Sequence, residues 1–407
     1  MPELQPFRGI LYRGAELERV LAPPYDVIPP GYRNELYARH PKNIVRVILN
    51  RTPGDAGYAA AGETFDAWQS DGTLGLDEKP ALYVLEQDFV WEGRPFTRTG
   101  LLARFRAEDP ARGIILPHEQ TRKGPREDRW RVLLATRANF SPIFMMVPDP
   151  GGRFASLAAT AASGAPAAAY RDDAGIAQRL FRVTDERAVA AFRETLGGVK
   201  AYIADGHHRY ATALRYRDER GPEGAWTLGY FTPMEAPELL VLPYHRILAQ
   251  GPSREDARRR LEGRFLVNEV DGAAQAARDA GQSTMPYAFG LAWPEGGALV
   301  AEALPEAEDL FPPETKASLR ALDTHFFHEV VLAKLLGLPS DAVSYVHSLR
   351  EADEALREKR CRLAALMRGT PVRHIVEVAE AKESMPAKST FFHPKLPSGL
   401  VIHPLVV

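Results

Sequence analysis

The stretch Tyr202-Ile-Ala-Asp-Gly-His-His-Arg-Tyr-Ala-Thr-Ala-Leu214 decides how this chain is read. Ala201 to Ala204 is an apolar run with the length of a buried strand. Asp205 and Gly206 make a tight turn. Good helix formers from Tyr210 to Glu219 then place His207, His208 and Arg209 at a helix start. A strand that turns through glycine into a helix N-terminus presents backbone N–H groups and the positive end of the helix dipole to whatever sits there. Two imidazoles and a guanidinium stand at the same point, so the turn reads as a phosphate cradle. The plainer alternative is a loop that happens to carry two polar histidines. A site is favoured because polar and turn residues follow the buried strand without a break, and no packing demand explains them. A His-ligated transition metal is the weaker reading. Adjacent histidines on a turn rarely aim both rings at one ion, and no Cys, His or Glu recurs nearby at helical ligand spacing.

Composition bounds the rest. The chain has 407 residues, a formal net charge of -2, 45% hydrophobic and 26% charged residues, the profile of a soluble globular protein of two or three domains. The near-neutral balance gives no support to a nucleic-acid surface. One cysteine, Cys361, excludes internal disulfides and cysteine-based zinc sites and suits a reducing cytoplasm. The opening Met1-Pro-Glu-Leu-Gln-Pro6 lacks the basic region and apolar core of a secretory signal, and no apolar run is long enough to span a membrane. A cytoplasmic location is therefore expected.

Working outward, residues 1–80 read as an N-terminal α/β segment. Two prolines make Ala22 to Ile28 extended, Asn43 to Leu49 reads as a strand, and Tyr58, Ala61, Phe65 and Trp68 predict an amphipathic helix over 55–70. Residues 81–250 form the expected core. It opens with a hairpin around Trp91-Glu-Gly-Arg94 and a short strand running into Pro117-His-Glu-Gln-Thr121. A helix from Pro125 to Ala138, stopped by Asn139, and strands at Ile143–Val147, 178–183 and 226–231 follow. Residues 251–407 read as a C-terminal α/β domain, with strands near 265–270, 287–293 and 298–303, a long helix from Asp323 to Leu336, and Cys361 in a strand. The fold class is α/β, or α+β.

Further polar clusters surround the cradle in sequence. Glu119 ends a strand, where it accepts a proton from a substrate hydroxyl or is a solvated turn carboxylate. Asp205 beside a phosphate cradle binds Mg²⁺, orients a nucleophile, or caps the helix. His245, Arg246, Lys388 and Lys395 each read as surface donors, and together with the cradle they would supply charge for a polyphosphate. There is no Walker sequence, dinucleotide fingerprint or nucleophile elbow.

A resemblance emerges from these residues. Pro23-Pro-Tyr-Asp-Val-Ile28, Leu116-Pro-His-Glu-Gln-Thr121, Asp128-Arg129, Asp205-Gly-His-His-Arg-Tyr210, His245-Arg246, Met385-Pro-Ala-Lys-Ser-Thr390 and His393-Pro-Lys395 occur in this order. The set resembles the bacterial domain-of-unknown-function family 1015 and runs nearly end to end. Within it, Pro-His-Glu followed by Asp-Gly-His-His-Arg-Tyr is similar to the ParB–sulfiredoxin superfamily, and closest in motif to free-serine kinases. That resemblance implies a ParB–sulfiredoxin-like core, with Glu119 as catalytic base and Asp205 assisting or holding Mg²⁺. It further implies that Gly206, His207, His208 and Arg209 hold nucleotide phosphates, joined by His118, Thr121, His245, Arg246, Lys388 and Lys395. The turn carries no cysteine, so the chain departs from sulfiredoxins, and no helix-turn-helix or basic face matches the partition proteins.

The expected activity is a kinase using ATP, ADP or CTP with Mg²⁺ and acting on a small hydroxyl metabolite, free serine being the first acceptor to try. Its rivals are a nucleotide-binding module or CTPase-like switch, and a phosphoester hydrolase or nuclease using the same cradle.

Overall fold

The structure is a computed structural model that describes residues 2–339 and 342–405. Helices and strands alternate along it, and the chain is α/β. It divides into two compact units, one of Met1–Pro117, Thr121–Leu240 and Pro394–Val407, the other of His118–Gln120 and Val241–His393.

The first unit is built on a nine-stranded sheet. In chain order its strands are β1 (Leu4–Gln5), β2 (Leu82–Trp91), β3 (Arg94–Arg106), β4 (Ile115–Leu116), β5 (Ile143–Val147), β6 (Ala168–Arg171), β7 (Ala177–Val183), β8 (Ala201–Asp205) and β9 (Trp226–Pro233). Their order across the sheet is β4-β8-β5-β9-β3-β2-β7-β6, with β1 on β3. β4 runs parallel to β8 and β5 parallel to β9, while the other pairs are antiparallel. The β2–β3 hairpin turns at Glu92 and Gly93, both at positive φ (49° and 75°), which matches the twist of the strands it joins. The register sets Phe89 opposite Phe96, and their rings stack 5.5 Å apart.

Strand alternation sends Ile143, Met145, Val147 and Ile203 to one face of this sheet. There they meet Phe154 of α1 (Arg153–Ala161), Phe192 of α2 (Glu186–Gly197) and Tyr210 of α3 (His207–Arg220). Each such buried side chain contributes about 1.5–3 kcal/mol of apolar burial, which fixes α3, and so the cradle at its start, against the sheet.

The second unit holds a six-stranded antiparallel sheet of β10 (His245–Leu248), β11 (Phe265–Val270), β12 (Phe289–Ala292), β13 (Ala298–Ala303), β14 (Val343–Val346) and β15 (Leu363–Leu366), ordered β11-β13-β12-β15-β10-β14. Its inner strands β12, β13 and β15 read as apolar runs because both faces are buried, while β11 and β14 at the edges carry exposed residues. Leu291, Leu299, Ala301 and Leu363 pack into one core, and Ala292, Val300, Ala364 and Leu366 into another. Small residues line the second face because a helix lies close to it. A Cβ on Gly290 would stand 2.9 Å from Ala276 Cβ.

Several local readings change. Asn43–Leu49 is not a strand: Val45–Ile48 form one helical turn. The Asn43 side chain donates to Arg19 O and Leu21 O and accepts from Val45 N–H, which starts the turn. Ile44, Val45, Val47 and Ile48 are all buried, so no alternation is needed. Tyr25–Val27 is a 3₁₀ turn and not extended chain, since a proline fixes its own φ and restricts the residue before it but leaves those after it free. The helix after Arg122 ends at Thr136, with Arg137 in the left-handed conformation as its cap, while Asn139 belongs to a short strand. The long helix from Asp323 widens over Phe327–Leu335 to i→i+5 bonding, as in Leu336 N–H to Val331 O. Cys361 precedes β15 and is not within a strand. No helix among the described residues is long and apolar enough to cross a membrane.

Candidate functional site

The cradle begins with an irregularity in β8. Tyr202 faces Met146 and Ile203 faces Met145, but Asp205 and not Ala204 faces Phe144. The extra residue is a β-bulge, and it moves Asp205 onto the face opposite the helix-covered core, the face of Phe144. Gly206 follows at φ 97°, a conformation that L side chains rarely adopt. A Cβ there would also stand 2.9 Å from Arg209 Cζ. The helix starts at once, with Tyr210 N–H donating to Gly206 O at 2.9 Å. Gly206→Ala is therefore expected to destabilise by about 1–2 kcal/mol from backbone strain alone, and to push the Arg209 guanidinium aside. Thermal melts read the first effect and anion affinity the second. An unchanged melting temperature would refute the strain argument.

Charge is distributed unequally at this turn. Lys395 Nζ lies 3.3 Å and Arg209 Nη2 3.6 Å from Asp205 Oδ2, and side-chain exposure is only 13%, 13% and 20% for Lys395, Arg209 and Asp205. Burial pushes the Asp205 carboxyl up, but Lys395 first and Arg209 next pull it down further, and it ends well below the usual carboxylate range. Asp205 is thus ionised and is a poor proton acceptor. Two cations face the Asp205 carboxylate at a helix N-terminus, whose dipole adds positive potential at the same point. Gly206 N–H donates to Asp205 Oδ1 at 2.9 Å. His207 is buried beside Asp205 and adds to its ionisation. His208 Nε2 accepts the Arg122 N–H at 3.0 Å, which ties the segment after Thr121 to the turn. Arg209 Nη1 donates to Pro142 O.

Lys395 reaches this point because the chain end is pinned. Arg98 is fully buried. It donates to Gln87 Oε1 (Nε at 3.2 Å, Nη2 at 2.5 Å) and to Pro394 O (2.5 Å). The guanidinium lies 4.8 Å from the Phe144 ring centre and 5.7 Å from that of Tyr230. Gln87 Nε2 in turn donates to Lys395 O at 3.3 Å. Sequence reading missed Arg98 and Gln87. Glu86 and Asp88 flank Gln87 and Thr97 and Thr99 flank Arg98, so nothing in the strands' composition singles the pair out, and only the hairpin register brings them together.

Of the remaining expected residues, Thr121 belongs to the first unit and the others to the second. His118 O accepts the Met385 N–H at 2.8 Å, its Nε2 stands 3.4 Å from Thr390 Oγ1, and Glu119 pairs with Met385 through a backbone bridge. Arg246, read as a surface donor, is fully buried. It donates to Tyr244 O, Lys388 O (3.5 Å) and His328 Nε2 (3.4 Å), and burial lowers its pKa to about 10. Burial, then Arg246, brings His245 down to about 4, and its Nδ1 accepts the Met367 N–H. Lys388 lies over the Tyr244 ring at 5.0 Å. Among the described residues no group of three or more His, Cys, Asp or Glu side chains forms a metal-ligand cluster. An ion at Asp205 would take most of its ligands from phosphate oxygens and water.

The sequence pattern of a family described as protein of unknown function, DUF1015, matches residues 4–325. No curated protein matches the chain. Among solved structures it is similar to a free serine kinase in complex with AMP, at TM-score 0.33 and 13% identity over 69% of this chain and 84% of that one. It is also similar to a conserved hypothetical protein from Pyrococcus furiosus, at TM-score 0.34 and 14% identity over 70% and 90%. SbnI with a C-terminal truncation from Staphylococcus aureus gives TM-score 0.34 and 8% identity over 72% and 84%. Likeness at these scores carries no argument about activity.

Proposed function

We propose, from the premise that the chain belongs to the DUF1015 family, whose description states no activity, that it binds nucleotide phosphates at Asp205–Arg209 and transfers a phosphoryl group to a small hydroxyl metabolite, free serine first. One observation carries this reading. Two largely buried cations, Lys395 and Arg209, gather beside Asp205 at the start of α3, where backbone N–H groups and the helix dipole also favour an anion. The motif resemblance to ParB–sulfiredoxin-like serine kinases supports the choice of reaction.

Phosphoryl transfer needs positioning and charge neutralisation more than covalent chemistry from the protein. The helix N-terminus, Lys395 and Arg209 supply that charge, and His207 and His208 offer polar contacts at the same turn. The acceptor oxygen forms the new P–O bond as the bond to the leaving nucleotide phosphate breaks, and the hydroxyl proton passes to a carboxylate. Asp205 is too weak a base for that proton, so its part is to hold Mg²⁺ or Lys395. Glu119 is the proposed base, by resemblance. Mg²⁺, bound by Asp205 with phosphate oxygens, would neutralise further charge.

The test is isothermal titration with ATP, ADP and CTP plus Mg²⁺, beside Arg209→Ala. The expected result is binding of at least one nucleotide that the variant weakens tenfold or more, about 1.4 kcal/mol or above. Absence of binding by all three would overturn the reading. Incubation with serine then separates kinase from switch. Glu119→Gln abolishes transfer in the first case and changes nothing in the second. Phosphate release without an acceptor would favour a hydrolase.

A further inference from the structure

Two of the signature motifs meet in the first unit at a place given no role so far. Tyr25, from Pro23-Pro-Tyr-Asp-Val-Ile28, lies under Arg129, from Asp128-Arg129, with the guanidinium carbon 3.9 Å from the ring centre. Both line a cavity with about 60 Å³ open to the centres of water molecules, and Arg209 of the cradle lines it too. Asn139 and Ala213 complete the part of the wall that matters here.

The wall is rich in donors. Arg129 is 8% exposed. Its Nε and Nη2 bond Asp128 Oδ2 and Ile48 O, while Nη1 makes no hydrogen bond among the described residues. With that guanidinium nitrogen unbonded and its side chain in the cavity wall, Arg129 offers a charged donor to an anion there. Asn139 uses Oδ1 with Thr227 and His403, and its Nδ2 has no partner among the described residues. Burial, then Asp26, raises the Tyr25 phenol to about 12, so it stays a neutral donor.

Size limits the occupant. The cavity has room for several waters, which is the scale of a ligand the size of a hydroxy or amino acid. We infer that the Tyr25–Arg129–Asn139 cavity is the acceptor subsite, and that it takes the carboxylate of a small hydroxy or amino acid on Arg129 Nη1 and the Asn139 amide. The inference rests on the kinase reading for the word acceptor. The carboxylate site itself does not.

Wild-type protein, Arg129→Gln and Ala213→Leu are titrated with L-serine, D-glycerate and ethanolamine, each with and without Mg²⁺ and ADP. Ethanolamine has the size and hydroxyl of the others but no carboxylate. The expected result is that serine or glycerate binds at least tenfold tighter than ethanolamine. Both variants should lose that binding tenfold or more and keep their nucleotide affinity within twofold. Arg129→Gln removes the charge, and Ala213→Leu fills the space without touching the donors, so a folding defect in one leaves the other decisive. Equal binding of all three compounds, no binding of either acid, or unchanged affinity in the variants overturns the subsite. Failure of nucleotide binding overturns the kinase reading instead, and the titrations without nucleotide still decide the carboxylate site.

Discussion

Lys395→Met is expected to lower stability by about 2–4 kcal/mol and to weaken nucleotide binding at least tenfold. Removing one partner of a buried pair typically costs about 3–5 kcal/mol because a charge is left without compensation. The loss should be smaller here, since Arg209 still faces Asp205 at 3.6 Å. Methionine keeps most of the apolar stem, so the effect reports charge and not volume. The pH dependence has a definite sign. Asp205 has its pKa depressed in the folded protein, Lys395 being its largest downward influence, against an ordinary value of 3.8. Its contribution is therefore complete above that value and is lost as pH falls below it towards the depressed folded pKa. Without Lys395, burial pulls the carboxyl upward, and stability should fall away from a higher pH than in the wild type. Urea midpoints taken from neutral to acid pH read this directly. A double-mutant cycle with Asp205→Asn gives the coupling, and a coupling near zero would mean that Arg209 alone holds the carboxylate.

What the sequence made legible here was local periodicity, and what it hid was long-range. The helix Asp55–Ser70 and the strands Ile143–Val147, Phe265–Val270 and Ala298–Ala303 fall where their apolar spacing put them. The change of period across Asp205-Gly206 likewise marked the strand–turn–helix. No spacing rule announces the bulge before Asp205, because an inserted residue in β8 shows only against its partner β5. Lys395 meets a carboxylate 190 residues earlier, and Arg98 a carbonyl 296 residues later. Sequence alone lists such groups as donors without saying which are already engaged. Arg246 teaches the same lesson from the other side. Backbone carbonyls and a neutral histidine enclose a charge that polarity alone would place on the surface.

Arg98→Ala should be the most damaging single change in the first unit, at about 5 kcal/mol or more. Truncation leaves a cavity between Phe144 and Tyr230, comparable to a large-to-small core change of about 3–5 kcal/mol. It also strands Gln87 Oε1 and Pro394 O, at about 1–3 kcal/mol for each unsatisfied buried group. Against a typical stability of about 5–15 kcal/mol, such a variant sits near the edge of folding. Arg98→Met is therefore the informative companion. It restores much of the volume, removes the donors, and should cost about 2–6 kcal/mol. With Pro394 O released, the segment carrying Lys395 is held by fewer bonds, and hydrogen exchange should rise there before it rises in β2 and β3. If Arg98 acts on the cradle only by delivering Lys395, Arg98→Met should weaken nucleotide binding no more than Lys395→Met does. Adding Arg98→Met to Lys395→Met should then change nothing further. A double variant that binds distinctly worse than either single one would give the buried guanidinium an electrostatic part of its own in holding the phosphates.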